Sequence, residues 1–377
     1  MKQIFYGAEI FDGQRFLKDH AVLIENEEII AVMPASERPQ TLKAHDLGGG
    51  ILAPGFIDVQ VNGGGGVLLN ETPTVEGIKT ITQAHRRFGT THLMPTVITD
   101  DQKILDAALD ASHHAMDHVS GCLGLHVEGP FIDPAKRGAH PEQHIRPMTN
   151  SDIARLAAFN KGVRLITLAP NRVTPDQIRA LCAAQLKVSL GHSNASDTEA
   201  LAAMDAGAHA VTHLYNAMSP LEGRKPGMVG AALSDPRVIC GLIADGHHVA
   251  PTAIKAALQA KGPHGIALVS DAMPTAAGGP DHFTLQNRPV TRTGTRLTLP
   301  DGTLAGATIT MLDAIQYLAG LGVPLADILI MATLTPARMI GVESKFGQIK
   351  PGYSASFVHL DTNLTLCSVI MNGQIEF

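Results

Sequence analysis

The sequence predicts an α/β fold, a (β/α)₈ barrel of the TIM type with a small β-sandwich formed by the N- and C-terminal segments. Three observations predict it. Eight apolar, β-branched runs alternate with stretches of helical spacing, short period-two runs stand before and after that repeat, and polar residues collect at the ends of the apolar runs.

The eight runs are Gly55 to Asn62, Thr91 to Val97, Leu123 to Pro130, Arg164 to Pro170, Lys187 to Ser193, Ala208 to Asn216, Val238 to Val249 and Ile266 to Met273. Helical spacing fills Thr74 to Phe88, Asp101 to His118, Ser151 to Phe159, Pro175 to Ala184, Ala195 to Ala206 and Pro251 to Ala260. Strand alternating with amphipathic helix implies a parallel sheet, and eight units imply closure. An open doubly wound sheet is the competing arrangement, but the glycine run Gly63 to Gly66 lacks the spacing of a dinucleotide fingerprint. That run is expected to be a barrel-mouth loop.

Residues 1–53 contain alternating runs at Gln3 to Glu9, Ala21 to Glu25 and Glu28 to Met33. The pattern returns after Gly341, in Ser356 to Leu360 and Leu366 to Met371, with Asn372-Gly373 as a hairpin turn. Residues 1–53 plus 341–377 are therefore expected to make one β-sandwich, and residues 54–340 the barrel.

Composition narrows the function. The chain has 377 residues, 45% of them hydrophobic, and no unbroken apolar stretch long enough to span a bilayer, so no membrane partner is expected. Its N-terminal residues show no signal-peptide apolar region, so a cytoplasmic location is expected. Four cysteines without CxxC spacing read as free thiols. A formal charge of −6 and no tryptophan argue against nucleic acid as a partner.

In a barrel of this kind, chemistry gathers at the C-terminal ends of the strands. The first run ends in Gln60 and Asn62, the third in Glu128, the fifth in His192, the sixth in His213 and Asn216, the seventh in Asp245 and His248, and the eighth in Asp271. Glu128, His192 and His213 supply one carboxylate and two imidazoles, the ligand set of a catalytic metal site with an open position. Zn²⁺ and Fe²⁺ both suit such ligands, and one divalent ion per subunit is expected. His126, two residues before Glu128 on the same strand face, is expected to be core or support. His113, His114 and His118 read as a solvated helix face.

The segments LAPGFIDVQVNG (Leu52 to Gly63), HVEGPF (His126 to Phe131), LGHS (Leu190 to Ser193), THLYNAM (Thr212 to Met218) and SDAM (Ser270 to Met273) resemble the amidohydrolase superfamily over essentially the whole chain. GRKPGMVG (Gly223 to Gly230) and ADGHHV (Ala244 to Val249) resemble its N-acetylglucosamine-6-phosphate deacetylase branch in particular. The resemblance implies hydrolysis of the acetamide of a phosphorylated N-acetyl amino sugar by a metal-activated water, in amino-sugar catabolism. It makes Asp271 the proton shuttle and places His140, beside Ala139, on the substrate carbonyl.

For the phosphate, the candidates are Arg224 and His248, with Asn216 and Ala217 close by. The resemblance adds Asp245, Leu304, Ala305 and Gly306 as sugar contacts, and a homodimer in which Arg224 serves the neighbouring active site. Most of the superfamily carries His-x-His at the end of the first strand, where this chain has Gln60 and Asn62. Neutral amides ligate divalent ions weakly, so a second metal there should be weak or absent. Two alternatives stay open: a deacetylase for N-acetylgalactosamine 6-phosphate, and a non-catalytic scaffold on the same barrel.

Overall fold

The computed structural model describes residues 1–376. Eight parallel strands form one sheet: β1 (Phe56–Val61), β2 (Thr90–Ile98), β3 (Gly124–Glu128), β4 (Val163–Leu168), β5 (Lys187–Leu190), β6 (Ala210–Val211), β7 (Ile239–Leu242) and β8 (Ile266–Leu268). Each pairs with its sequence neighbour, as right-handed strand–helix–strand units require. Closure comes from the residues just beyond β8, where Val61 bridges Ala272 in parallel register and Asp271 N–H donates to the Gln60 carbonyl at 3.0 Å. The sheet is thus a barrel, and its seam lies beside the residues expected to do chemistry.

Every residue of β1, β2 and β3 is buried, because both faces are covered, inside by the barrel core and outside by helices. The helices are α1 (Val75–Arg86), α2 (Gln102–His118), α3 (Asn150–Ala158), α4 (Pro175–Ala183), α5 (Asp197–Asp205), α6 (Gly227–Ser234), α7 (Pro251–Lys261), α8 (Met311–Gly320), α9 (Leu325–Ala332) and α10 (Leu334–Ile340). Local chemistry sets where many begin. Thr149, Thr174, Ser196 and Thr310 each close a capping box with an acidic or amide side chain three residues on, and Thr74 and Asp101 cap α1 and α2. Such a cap stabilises a helix start by about 1 kcal/mol.

The chain ends build two sheets. One is N-terminal throughout, with Lys2–Tyr6 between His20–Glu25 and Lys43–Asp46. The other joins both ends of the chain, since Ile51–Pro54 pairs with Glu9–Phe11 on one side and antiparallel with Phe357–Leu360 on the other. Phe5, Ile24, Leu52 and Phe357 fill the core between them.

Three features depart from the expectations. The sixth run contributes only two strand residues, and the polypeptide from Thr212 onward turns away through left-handed conformations at His213, Tyr215 and Ala217. Gly63–Gly64 is not a loose loop but pairs with Val67–Leu68 in a small hairpin, held by the His85 Nε2–H donating to the Gly63 carbonyl. Most consequential is a four-stranded antiparallel sheet between β8 and α8, comprising His282–Leu285, Arg288–Thr293, Arg296–Thr298 and Leu304–Ala307. Leu285, Val290, Leu297 and Ala305 pack with Leu68, Ile98 and Met273 in a separate apolar cluster, which lays this sheet over one side of the barrel mouth.

Candidate active site

Three strand ends converge on one point. Glu128 ends β3, His192 follows β5 and His213 follows β6. His192 Nε2 lies 3.1 Å and His213 Nε2 3.0 Å from Glu128 Oε1, and the two Nε2 atoms are 3.0 Å apart. All three side chains are buried, Glu128 at 2% exposure. The His192 Nδ1–H donates to the Lys136 carbonyl at 2.9 Å, so in the neutral ring Nε2 carries a lone pair and no proton. Two imidazole nitrogens and a carboxylate oxygen this close would set lone pair against lone pair unless a positive charge lay among them. That donor set fits a divalent ion of the zinc or ferrous type.

His140 belongs to the same neighbourhood, its ligand-type nitrogen lying within 4.8 Å of those of Glu128 and His192. The closer approach of His213 to both makes it the third member of the cluster, and Nδ1 of His140 is engaged at 2.8 Å by the Thr99 hydroxyl. Burial would raise the Glu128 carboxyl, yet the His192 and His213 imidazoles packed against it hold it well below the usual carboxylate range. Burial would likewise lower His213, but the bond and charge of Glu128 raise it. Burial holds His140 well below the usual imidazole value.

Asp271 stands at the seam between β8 and β1. Its Oδ1 accepts from Gln60 Nε2 at 3.1 Å and Asn62 Nδ2 at 2.6 Å. Gln60 Nε2 also approaches both Glu128 oxygens at 3.2 Å. The two amides therefore serve as donors that hold the carboxylates in place, while Gln60 Oε1 and Asn62 Oδ1 stay buried without a partner among the described residues. Burial, with the Glu128 charge adding to it, pushes Asp271 up to about 6. Beneath the seam, fully buried Asp58 accepts from the backbone N–H groups of Gln60 at 3.2 Å and Ser270 at 3.3 Å, and burial pushes it up to about 7.

His192, His213 and Asp271 all have left-handed backbones, at φ of +48°, +33° and +50°. Each such residue costs on the order of 1–3 kcal/mol and persists only where the surroundings enforce it. The Lys136 carbonyl enforces His192, and the seam hydrogen bonds enforce Asp271. His126 is not a ligand, because Nδ1–H donates to the Val59 carbonyl at 3.0 Å and Nε2 accepts from the Thr167 hydroxyl at 2.7 Å.

A pocket of about 370 Å³ opens above this cluster, within the range of small-molecule sites. Of the residues expected from sequence, it brings together Glu128, His140, His192, His213 and Asp271, and its wall includes Ala139, Asn216, Ala217, His248, Leu304 and Gly306. Three stand elsewhere. Arg224 is exposed on the loop before α6 and lines a separate cleft with Asn194, Ser196 and Glu222. Ala305 is fully buried in the apolar cluster beneath the antiparallel sheet, since alternate residues of a strand face opposite ways. Asp245 is turned inward, its side chain 1% exposed, and bonds to His248.

The pocket also contains residues that sequence reasoning missed. Lys136 is the only Lys or Arg on its wall among the described residues, Leu285 comes from the antiparallel sheet and Thr303 from the turn that leads into its last strand. The sheet had a readable signal in the period-two run from His282 to Thr298, broken at Gln286-Asn287 and Gly294. Lys136 had none beyond its place five residues after a strand end-motif.

Comparisons with known proteins give the chain a family. The amidohydrolase family matches residues 51–375 and the NagA composite domain residues 5–52. The N-acetylgalactosamine-6-phosphate deacetylase of Shewanella sp. (strain ANA-3) is 45% identical over 330 residues, 87% of this chain and 84% of the relative. The N-acetylglucosamine-6-phosphate deacetylase of Haemophilus influenzae is 34% identical over 383 residues, 99% of each chain. The crystal structure of N-acetylglucosamine-6-phosphate deacetylase from Pasteurella multocida superposes with a TM-score of 0.97 at 32% identity, covering 100% of both chains. With a family match spanning barrel and sandwich alike and a solved relative superposing end to end, this chain belongs to the amidohydrolase family and is a hydrolase.

Proposed function

We propose that this chain hydrolyses N-acetyl-D-glucosamine 6-phosphate to D-glucosamine 6-phosphate and acetate, with one divalent ion, Zn²⁺ or Fe²⁺, held by Glu128, His192 and His213. The observation that carries this reading is the convergence of those three ligand atoms within 3.1 Å of one another, on the floor of a pocket that also holds Asp271. A divalent ion in such a site would supply Lewis-acid activation, lowering the pKa of water to about 7.

The chain's own groups do the rest. Asp271, held by Gln60 and Asn62, takes a proton from the attacking water and returns it to the amide nitrogen as the C–N bond breaks. The water oxygen ends in acetate and the nitrogen leaves as the amine. His140, its Nδ1 2.8 Å from the Thr99 hydroxyl, turns Nε2 towards the acetyl oxygen and, in the tautomer with the proton on Nε2, donates to it as negative charge develops there. His248, with Asn216 and Ala217, receives the sugar phosphate. Arg224, which lies outside the pocket of its own chain, reaches the site of a neighbouring subunit in a homodimer.

A second reading, the galactosamine epimer as substrate, is favoured by the 45% identity to a relative named for it. Acetate release from both sugar phosphates by metal-replete protein decides between them, and release from neither sinks both. Four free cysteines are compatible with the cytoplasmic location proposed from the sequence.

A further inference from the structure

The loop after β7 contains a carboxylate–imidazole pair of which the reaction outlined above uses only the imidazole, His248. Asp245 Oδ1 accepts the backbone N–H groups of His247 and His248, both at 2.8 Å, and Oδ2 accepts the His248 Nδ1–H at 2.7 Å. The turn closes only because Gly246 adopts φ of +76°, where a Cβ would stand 2.8 Å from the Tyr317 hydroxyl. His247 Nε2, 2.8 Å from Thr295 Oγ1, ties the same turn to the antiparallel sheet. His248 is left with one free ring nitrogen, Nε2, and its side chain lines the pocket.

From this geometry we infer that Asp245 is a positioning residue: it fixes the His248 proton on Nδ1, aims Nε2 into the pocket, and makes the ring a cationic donor to the substrate's phosphate. A carboxylate behind an imidazole sets its tautomer, orientation and basicity. Burial alone would raise Asp245, but the His248 hydrogen bond and charge and the two backbone donors outweigh it and hold the group ionised, below its ordinary value. A charge-assisted hydrogen bond to phosphate is roughly twice as strong as a neutral one. This assignment rests on the proposed phosphorylated substrate and reverses the expectation that Asp245 touches the sugar.

Asp245→Asn tests it, because the amide oxygen can still accept both backbone N–H groups while the amide nitrogen faces Nδ1 and drives the proton to Nε2. In metal-replete protein labelled with ¹⁵N-histidine, His248 should show a protonated Nδ1, and both nitrogens protonated when inorganic phosphate is added. D245N should lose the Nδ1 proton and lower kcat/KM for the phosphorylated sugar by roughly 10–100-fold, with a much smaller loss on the unphosphorylated N-acetyl sugar. Introduced into H248N, D245N should change nothing further. An unprotonated Nδ1 in the unaltered protein overturns the assignment without any variant, and so does an equal loss on both sugars or an additive double variant. Failure of the substrate reading shows separately, as absent turnover of the phosphorylated sugar by the unaltered protein, and the Nδ1 signature then still decides the role of Asp245.

Discussion

Replacing Asp271 with Asn should cost activity and add stability. The two amides that now hold the carboxylate can still donate to the Oδ1 of an Asn, so the local geometry is kept. What disappears is the proton transfer, a contribution typically of 10²–10⁴-fold, or about 3–5 kcal/mol of barrier. Stability moves the other way. The folded carboxyl titrates at about 6 against 3.8 for the free group, because burial and the Glu128 charge penalise its ionised form. Below about pH 4 both states hold the proton and nothing is lost. Between there and pH 6 the cost of ionising the folded group grows, and above that it is fully expressed, at most about 3 kcal/mol at 1.36 kcal/mol per unit.

Metal-free D271N should therefore resist urea better than the unaltered chain at pH 8 and no better at pH 4. The metal-free form is the one to compare, because a cation near Glu128 would offset the repulsion. kcat from acetate release and ΔG from urea titration measure the two halves. Activity within tenfold of the unaltered enzyme would falsify the shuttle role, and equal stability at pH 8 would refute the electrostatic reasoning.

Other outcomes follow from the same structure. His192→Ala or His213→Ala should lower bound metal per subunit, read by elemental analysis after dialysis, because each removes one of three convergent ligand atoms; undiminished metal content would rule out the cluster. Gly129→Ala should lower kcat at least tenfold with metal retained, since φ is +81° and the new Cβ would lie 2.1 Å from Thr99 Oγ1, the group that orients His140. Overpacking of this kind costs about 1–3 kcal/mol, and unaltered turnover would count against the Thr99–His140 link. Asp152→Asn should destabilise the fold by about 1–2 kcal/mol at pH 7. Burial raises that carboxyl, but hydrogen bonds from Arg146 and Thr149 hold it to about 2, so its contribution is complete above pH 4 and fades as pH falls towards 2. A D152N deficit that persists undiminished at pH 2 would contradict this assignment.

The barrel and the floor of the site were legible in the chain because both follow from local pattern combined with one topological rule. Strand and helix periods mark eight units, parallel closure brings all eight strand ends to one face, and whatever polar residues stand at those ends must meet. Glu128, His192, His213 and Asp271 stand at such ends, and the family resemblance singled them out from the other polar residues there. Capping residues such as Thr149 and Ser196 set helix starts in the same local way.

The rest depended on relations that sequence spacing does not encode. Asp245 and His248 both follow β7, yet a single left-handed glycine between them turns one inward and leaves the other facing the pocket. Arg224 sits in a loop whose excursion places it in another cleft, and Ala305 lies one strand position from Leu304 but on the opposite face. The elevated Asp271, the depressed Glu128 and the lone pair on His192 Nε2 arise from which groups lie within about 3 Å through space. Residue type and order determined which groups arrive at the barrel mouth; the path of the backbone between them decided which way each faces and which charge it carries.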